Sequence, residues 1–70
     1  MRNPERLDSF YITLKEIHQT KLPDWRFGQF MINFFQWHLA VYGTDCFYLE
    51  EDRFLERIYQ YVRILLLEDD

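Results

Sequence analysis

The stretch of sequence that decides the fold is residues 24–42, which read DWRFGQFMINFFQWHLAVY. Beyond its first three residues, nearly every position carries an apolar side chain. The polar exceptions Gln29, Asn33 and Gln36 recur at intervals of four and three residues, so a helix aligns them in one narrow stripe. A helix that is apolar on almost all sides must be covered on most of them. We therefore predict a central helix over residues 25–42, wrapped by the rest of the chain.

The size of the chain limits how it can be stabilised. Seventy residues make one helical domain, residues 1–70, near the lower limit at which a single core suffices without staples. The one cysteine, Cys46, excludes an internal disulfide and favours a reducing compartment. Aromatic residues make up 20% of the chain, more rings than so small a domain can enclose. We therefore expect some rings to lie exposed and to bind a protein partner.

Charge and hydropathy argue against several classes of function. The net charge of −4 and the scattered positions of the eight basic residues disfavour direct nucleic-acid binding, which needs clustered Lys and Arg. Residues 1–6 lead into no apolar segment, so no signal peptide is expected. Polar side chains interrupt the apolar run before it is long enough to span a membrane. The sequence predicts an acidic, cytoplasmic protein without nucleic-acid or membrane contacts.

A first helix precedes the central one. Asn3 and Pro4 form a favourable helix start, and Pro23 disfavours helical geometry just before it. Apolar residues recur between them with the period of an amphipathic helix. These apolar positions are Leu7, Phe10, Tyr11, Leu14 and Ile17.

The central helix carries two further local signals. Asp24 is its expected N-cap, because a carboxylate at this position can accept backbone N–H groups of the first turn. Gly28 lies inside the helix, where glycine costs about 1 kcal/mol relative to alanine. We expect another helix to approach closely at Gly28, which would compensate that cost.

Gly43 is the expected C-terminal stop of the central helix. Residues 44–49 are compatible with two conformations: a loop with one irregular turn, anchored on the core by Phe47 and Tyr48, or a brief extended segment that has no strand to pair with. The helical period then returns with Phe54, Leu55, Ile58, Tyr61, Val62 and Leu65 on one face. Glu68, Asp69 and Asp70 lie at the unfavourable end of this helix dipole, so fraying is expected there.

The predicted architecture is an all-α fold, a small three-helix bundle. Its helices are expected at about 4–20, 25–42 and 50–66. Consecutive helices are expected to be antiparallel, and the second, aromatic-rich helix is expected to be central.

No catalytic or metal-binding constellation is visible. His18, His38 and Cys46 are the only soft metal ligands, and their spacing fits no zinc motif. His38 can approach Cys46 across the turn, but no third group or oxyanion site accompanies the pair. Three adjacent acids at 50–52 point in different directions on a helix, where they complement the dipole. We predict a protein without enzymatic activity, bound metal or cofactor.

The most specific motif is PDWRFGQ at residues 23–29. In the preferred interpretation it is a structural corner, in which Arg26 pairs with Asp24 or with an acid of residues 50–52, and Trp25 closes the core. In the alternative, Trp25 and Arg26 belong to an exposed binding patch, because both residue types are enriched in interface hot spots.

Several of these segments resemble a family of short proteins found in Gram-positive bacteria and their phages. The resemblance covers most of residues 3–62. It lies in Leu7-Asp8, Phe10-Tyr11, Pro23-Asp24-Trp25-Arg26-Phe27-Gly28-Gln29, Asn33-Phe34, Asp45 and Phe47-Tyr48-Leu49-Glu50-Glu51-Asp52. It implies a freestanding intracellular protein and a phage context. It implies no activity and transfers no functional residue.

Two functional hypotheses follow. The first is a non-enzymatic protein-interaction module that forms a homodimer or docks on a protein partner through exposed aromatic residues. The second is a phage or mobile-element inhibitor, whose acidic face blocks a basic, nucleic-acid-binding surface of a host enzyme. The candidate contact residues are Trp25, Arg26, Trp37, Tyr48, Glu50, Glu51 and Asp52.

Overall fold

The computed structural model describes residues 2–68 and contains three α-helices. The helices are α1 (Arg6–Lys21), α2 (Phe27–Tyr42) and α3 (Glu51–Glu68). This confirms the predicted all-α, three-helix bundle, and each predicted helix boundary lies within two residues of the observed one. Of the three acids where the sequence predicts fraying, Glu68 is the last residue of α3, and Asp69 and Asp70 lie outside the described residues.

Neither α1 nor α2 has a side-chain hydrogen bond at its N-cap residue, which is Glu5 for α1. The Asn3 side chain accepts a hydrogen bond at 3.0 Å from the Glu5 N–H, in the turn that precedes α1. Asp24 does not cap α2: Arg26 occupies the N-cap position with extended backbone and no side-chain hydrogen bond. The turn before α2 is closed instead by the backbone, since the Trp25 N–H donates to the Leu22 carbonyl at 3.2 Å.

The two glycines of the central region behave differently. Gly43 ends α2 as predicted, with a φ of +73° and with its N–H donating to the Leu39 carbonyl at 2.8 Å. Gly28 does not mark a close helix approach, because a Cβ added there would meet no other atom within 4 Å. The prediction for Gly28 is wrong because this side of α2 faces solvent.

Helices α1 and α3 lie side by side and run in the same direction. Near their starts the rings of Phe10 and Phe54 pack edge to face, with centroids 5.7 Å apart. Near their ends Lys21 and Leu66 line the same pocket. Helix α3 makes close backbone approaches to both α1 and α2.

Helix α2 crosses α3 and supplies the centre of the core. Phe34 is completely buried, and its ring packs against Phe54 and Tyr61, which lie two turns apart on α3. Tyr42, the last residue of α2, donates a hydrogen bond to Gln60 in the middle of α3. The buried core consists of Leu14, Ile17, Leu22, Phe30, Met31, Phe34, Ile58, Tyr61 and Val62. Helix α2 is therefore central to the core, but it crosses α3 instead of running antiparallel beside it.

Helix α2 is covered on one side only. Its buried residues are Phe30, Met31, Phe34 and His38. Its exposed apolar residues are Phe27, Ile32, Phe35, Leu39, Val41 and Tyr42. The expectation that the rest of the chain covers most of this helix is wrong, because two helices that both pack on one side leave the other side free.

Candidate interaction surface

Exposed apolar side chains are abundant on this molecule. Half of the aromatic residues are exposed, as expected from the number of rings in so short a chain. These residues are Tyr11, Phe27, Phe35, Tyr42, Phe47, Tyr48 and Tyr59. Their distribution over the surface decides whether they form a site.

The most regular set of exposed apolar residues is a stripe along α2. We name it the outer stripe, and it consists of Gly28, Ile32, Phe35, Leu39 and Tyr42. Its members are separated by four, three, four and three residues, which is the 3.5-residue period of helices that pack along a seam. The exposed fraction of its four large side chains ranges from 37% for Tyr42 to 59% for Ile32. Within the described chain, α3 covers the stripe only in part, at Phe35 through Phe54 and at Tyr42 through Arg57.

Helix α2 adds no charge to the outer stripe, and the two charged groups that reach it come from other segments: Arg57 lies over the Tyr42 ring, and Asp45 lines the groove beside Phe35. Helix α2 contains no Asp, Glu, Lys or Arg in its sixteen residues. The polar side chains beside the stripe are the amides of Gln29 and Gln36, which are exposed. Desolvation of the helix face itself costs little, because no residue of α2 carries a charge that has to lose its water.

The loop after α2 extends this apolar surface. Phe47 and Tyr48 are 80% and 88% exposed, so the prediction that they anchor the loop on the core is wrong. The Asp45 carboxylate accepts the Phe47 N–H at 3.0 Å, which directs the two rings outward, while Cys46 packs against the core. Phe47 lines one groove together with Phe35 of the outer stripe.

The remaining aromatic candidates are mainly structural. Trp25 and Trp37 are half-buried and pack against the core. The Trp37 ring lies against Tyr61 of α3, with centroids 5.3 Å apart. Arg26 is exposed and forms no ion pair with Asp24 or with an acid of residues 50–52, so its predicted pairing is wrong. Tyr48 is the predicted aromatic contact residue that the structure leaves free.

The acidic candidates lie at the N-terminal end of α3. Glu50 pairs with Arg2 at 2.5 Å, and Glu51 pairs with Arg6. Asp52 is exposed. These residues do not form one site with Trp25, which lines a pocket with the C-terminal end of α3. Two of the three acids are therefore already neutralised within the chain.

Sequence reasoning missed the polar cluster around His38. This side chain is 1% exposed, and its Nδ1 lies 2.7 Å from the Thr44 carbonyl oxygen. Its Nε2 lies 3.1 Å from a guanidinium nitrogen of Arg57. Because the carbonyl can only accept and the guanidinium can only donate, Nδ1 carries the proton and Nε2 does not. His38 is therefore neutral, and both of its nitrogens are occupied.

Arg57 is the second member of this cluster. Its guanidinium lies over the Tyr42 ring, 3.6 Å from the ring centroid, in a cation–π contact. Its position three residues after Phe54 and four before Tyr61 places it on the apolar face of α3, which is the signal that sequence reasoning overlooked. The cluster joins the end of α2 to the middle of α3 and does not reach the outer stripe except through Tyr42.

The histidine and cysteine do not form a catalytic pair. Burial raises the pKa of the Cys46 thiol, and Asp45 raises it further, while Arg57 partly opposes them. The thiol is therefore protonated at neutral pH, whereas a nucleophilic cysteine needs a thiolate. His38 has no free nitrogen to accept its proton. Neither member of the pair is prepared for nucleophilic chemistry.

His18 has a role similar to that of His38 at the other turn. Its Nε2 donates to the Trp25 carbonyl at 2.6 Å, and its ring packs on Phe30 with centroids 5.3 Å apart. Each histidine thus sits in the last turns of a helix and holds a carbonyl of the connection that follows. Within residues 2–68, no three His, Cys, Asp or Glu side chains are grouped so that they could hold a metal ion.

Comparisons with known proteins give no family or relative from which a function could be transferred. Comparison with protein-family models, with curated proteins and with solved structures finds no match. The resemblance to short proteins of Gram-positive bacteria and their phages therefore stays a prediction. No helix in the part of the chain that the structure describes has the length and apolar character needed to cross a membrane.

Proposed function

We propose that this chain is a non-enzymatic protein-interaction module that binds a protein through the outer stripe of α2 and the adjacent Phe47 and Tyr48. The observation that carries the proposal is the regular, uncharged and exposed apolar stripe on a helix whose other side forms the core. At roughly 200 Å² for each large side chain, the exposed parts of these residues amount to roughly 700 Å². Contiguous apolar patches above a few hundred Å² are typical of interaction sites.

The acidic-face inhibitor has less support from the geometry. Its hypothesis needs free negative charge at the start of α3 to meet a basic surface. Arg2 and Arg6 already pair with Glu50 and Glu51, which leaves Asp52 as the unpaired acid of the three. The apolar stripe is larger and needs no compensating charge. We therefore place the binding surface on α2.

Charge insertion on α2 tests this proposal. In Leu39→Glu a carboxylate enters the middle of the outer stripe, whereas in Ala40→Glu the same group enters the next residue, which is exposed on another side of the helix. Both variants should keep the helical circular dichroism spectrum and unfolding midpoint of the monomer, because both positions face solvent. A protein retained by the immobilised wild-type chain and by Ala40→Glu should be lost from Leu39→Glu. Equal retention by all three would contradict the proposal.

A further inference from the structure

We infer that the occupant of the outer stripe is a second copy of this chain, with the two α2 helices antiparallel about a two-fold axis at Phe35. The inference rests on the proposed function and names its partner. A two-fold interface requires that a surface be complementary to itself. The outer stripe meets this requirement in shape and in charge.

The spacing of the stripe differs by only one residue between the two sides of its middle residue, Phe35. Gly28 and Tyr42 lie seven residues before and after Phe35, and Ile32 and Leu39 lie three before and four after it. In an antiparallel pair, each Ile32 therefore meets Leu39 of the partner subunit. The smallest member of the stripe, Gly28, meets the largest, Tyr42 of the partner subunit. The open space at Gly28 can receive the exposed edge of this ring, which is 37% exposed and is otherwise held by Arg57 and Gln60 of its own chain.

Parallel packing lacks this complementarity. It would place Gly28 against Gly28 of the partner subunit, which leaves a void between the helices. It would also place Tyr42 against Tyr42 of the partner subunit, which crowds two large side chains. Close packing without voids is what stabilises such seams. The antiparallel arrangement is therefore favoured by side-chain volume alone.

Charge supports the same arrangement. Each copy carries a formal charge of −4, so two copies repel one another, and only an uncharged contact surface adds no like-charge pair to that repulsion. Helix α2 meets that condition along its whole length. The charged residues nearest its two ends are Arg26 and Asp45, both exposed. Antiparallel packing brings Arg26 to the end of the interface that holds Asp45 of the partner subunit, whereas parallel packing brings like charges together.

The available area suits a dimer of ordinary size. The outer stripe with Phe47 and Tyr48 offers roughly 700 Å² of apolar surface, against about 800 Å² buried by each partner in a standard specific interface. The amides of Gln29 and Gln36 extend it as a polar rim. A partner that is much larger is not needed to cover it.

Light scattering coupled to size-exclusion chromatography tests whether the partner is a second copy of the chain. Over protein concentrations from about 1 µM to about 1 mM, the wild-type chain and Ala40→Glu should convert to twice the mass of one chain. Leu39→Glu should remain a monomer over the whole range. The urea midpoint of the wild type should rise with protein concentration, and that of Leu39→Glu should not.

Disulfide formation tests whether the two α2 helices are antiparallel or parallel. Ile32→Cys and Leu39→Cys are each placed in a Cys46→Ser background, and one of them carries a mass tag. Under mild oxidation, the mixture should form the mixed disulfide, while each variant alone should form little. Disulfides that form within each single variant and not in the mixture would overturn the antiparallel arrangement.

The outcomes separate this inference from the proposed function. A wild-type chain that stays monomeric at every concentration, yet retains a different protein that Leu39→Glu loses, overturns the second copy and supports the interaction surface. A monomer that retains nothing in a stripe-dependent way overturns both. A dimer that Leu39→Glu leaves intact also overturns both, because its interface then lies elsewhere.

Discussion

Replacement of His38 by Phe should destabilise the domain strongly although the ring volume is nearly kept. The wild-type ring fills a space that is 1% exposed and holds two polar partners. Phe retains the packing against Phe34 but has no atom that can donate to the Thr44 carbonyl or accept from Arg57. The variant therefore isolates the hydrogen bonds from the burial of the ring.

The expected loss can be estimated from the two hydrogen bonds. A neutral hydrogen bond such as that to Thr44 contributes about 1 kcal/mol, and one to a charged group such as Arg57 contributes about 1.5–3 kcal/mol. Their joint loss should lower the free energy of unfolding by about 2–4 kcal/mol. A domain of this size is expected to have a total of roughly 4–10 kcal/mol. The melting temperature should fall by roughly 10–25 °C.

Urea unfolding followed by circular dichroism measures this loss, and a double-mutant cycle assigns it. Arg57→Met removes the donor to Nε2 but leaves the aliphatic stem. Arg57→Met should cost clearly less in the His38→Phe background than in the wild type, because the nitrogen that accepts from Arg57 is already absent there. His38→Gln, whose amide oxygen can still accept from Arg57, should lie between the wild type and His38→Phe. A His38→Phe variant within about 0.5 kcal/mol of the wild type would refute the account of this cluster.

Two further measurements follow from the structure. Gly28→Ala, made in the monomeric Leu39→Glu background, should raise the free energy of unfolding by about 1 kcal/mol, because the site is open and its φ is not positive; a loss of stability there would show that the space is not open. The domain should also become less stable in alkali. Burial raises the pKa of the Cys46 thiol above 9.0 and the pKa of the Tyr61 phenol above 10.0, so the unfolded chain releases these protons first. The free energy of unfolding should therefore fall as the pH rises from about 9 to about 11, and less steeply in a Cys46→Ser, Tyr61→Phe variant. An identical pH profile for both proteins would contradict this assignment.

Helix positions were predictable because their signals are local. The period of apolar residues, Pro4 at one start and Gly43 at one end depend on neighbours within a few positions, and all three define helices in the structure. The apolar face of α3 was predictable for the same reason. Ile58, Tyr61 and Val62 from that face are buried.

The predictions of an N-cap at Asp24 and of a core anchor at Phe47 were wrong because tertiary contacts and turn geometry determine the conformation at these positions. Asp24 has the residue type of an N-cap, but the chain reverses with Arg26 at that position and with the Trp25 carbonyl bound to His18. Phe47 has the residue type of a core anchor, but the Asp45 carboxylate turns its backbone outward. In each case a preference of one residue was overridden by a partner far away or by the local turn geometry.

The candidate surface was harder to predict because an apolar pattern in the sequence does not indicate which other segment packs against it. The sequence of α2 contains two interleaved apolar patterns on different sides. Phe30, Phe34 and His38 follow one another at intervals of four and face the core, while the outer stripe follows the 3.5-residue period. From composition alone, both were assigned to one core with one chain around it.

Two apolar faces on one helix imply two sets of neighbours. Helix α3 packs against the inner face. Its Arg57 contacts the histidine of that face, and its Tyr61 ring packs against the tryptophan. No segment within residues 2–68 covers the outer stripe to the same extent. If the outer apolar residues served folding alone, their replacement by Glu should destabilise the single chain. If they serve association, Leu39→Glu should leave monomer stability unchanged and remove the complex. Whether Leu39→Glu lowers the stability of the monomer or removes the complex therefore shows whether the outer apolar residues serve folding or binding.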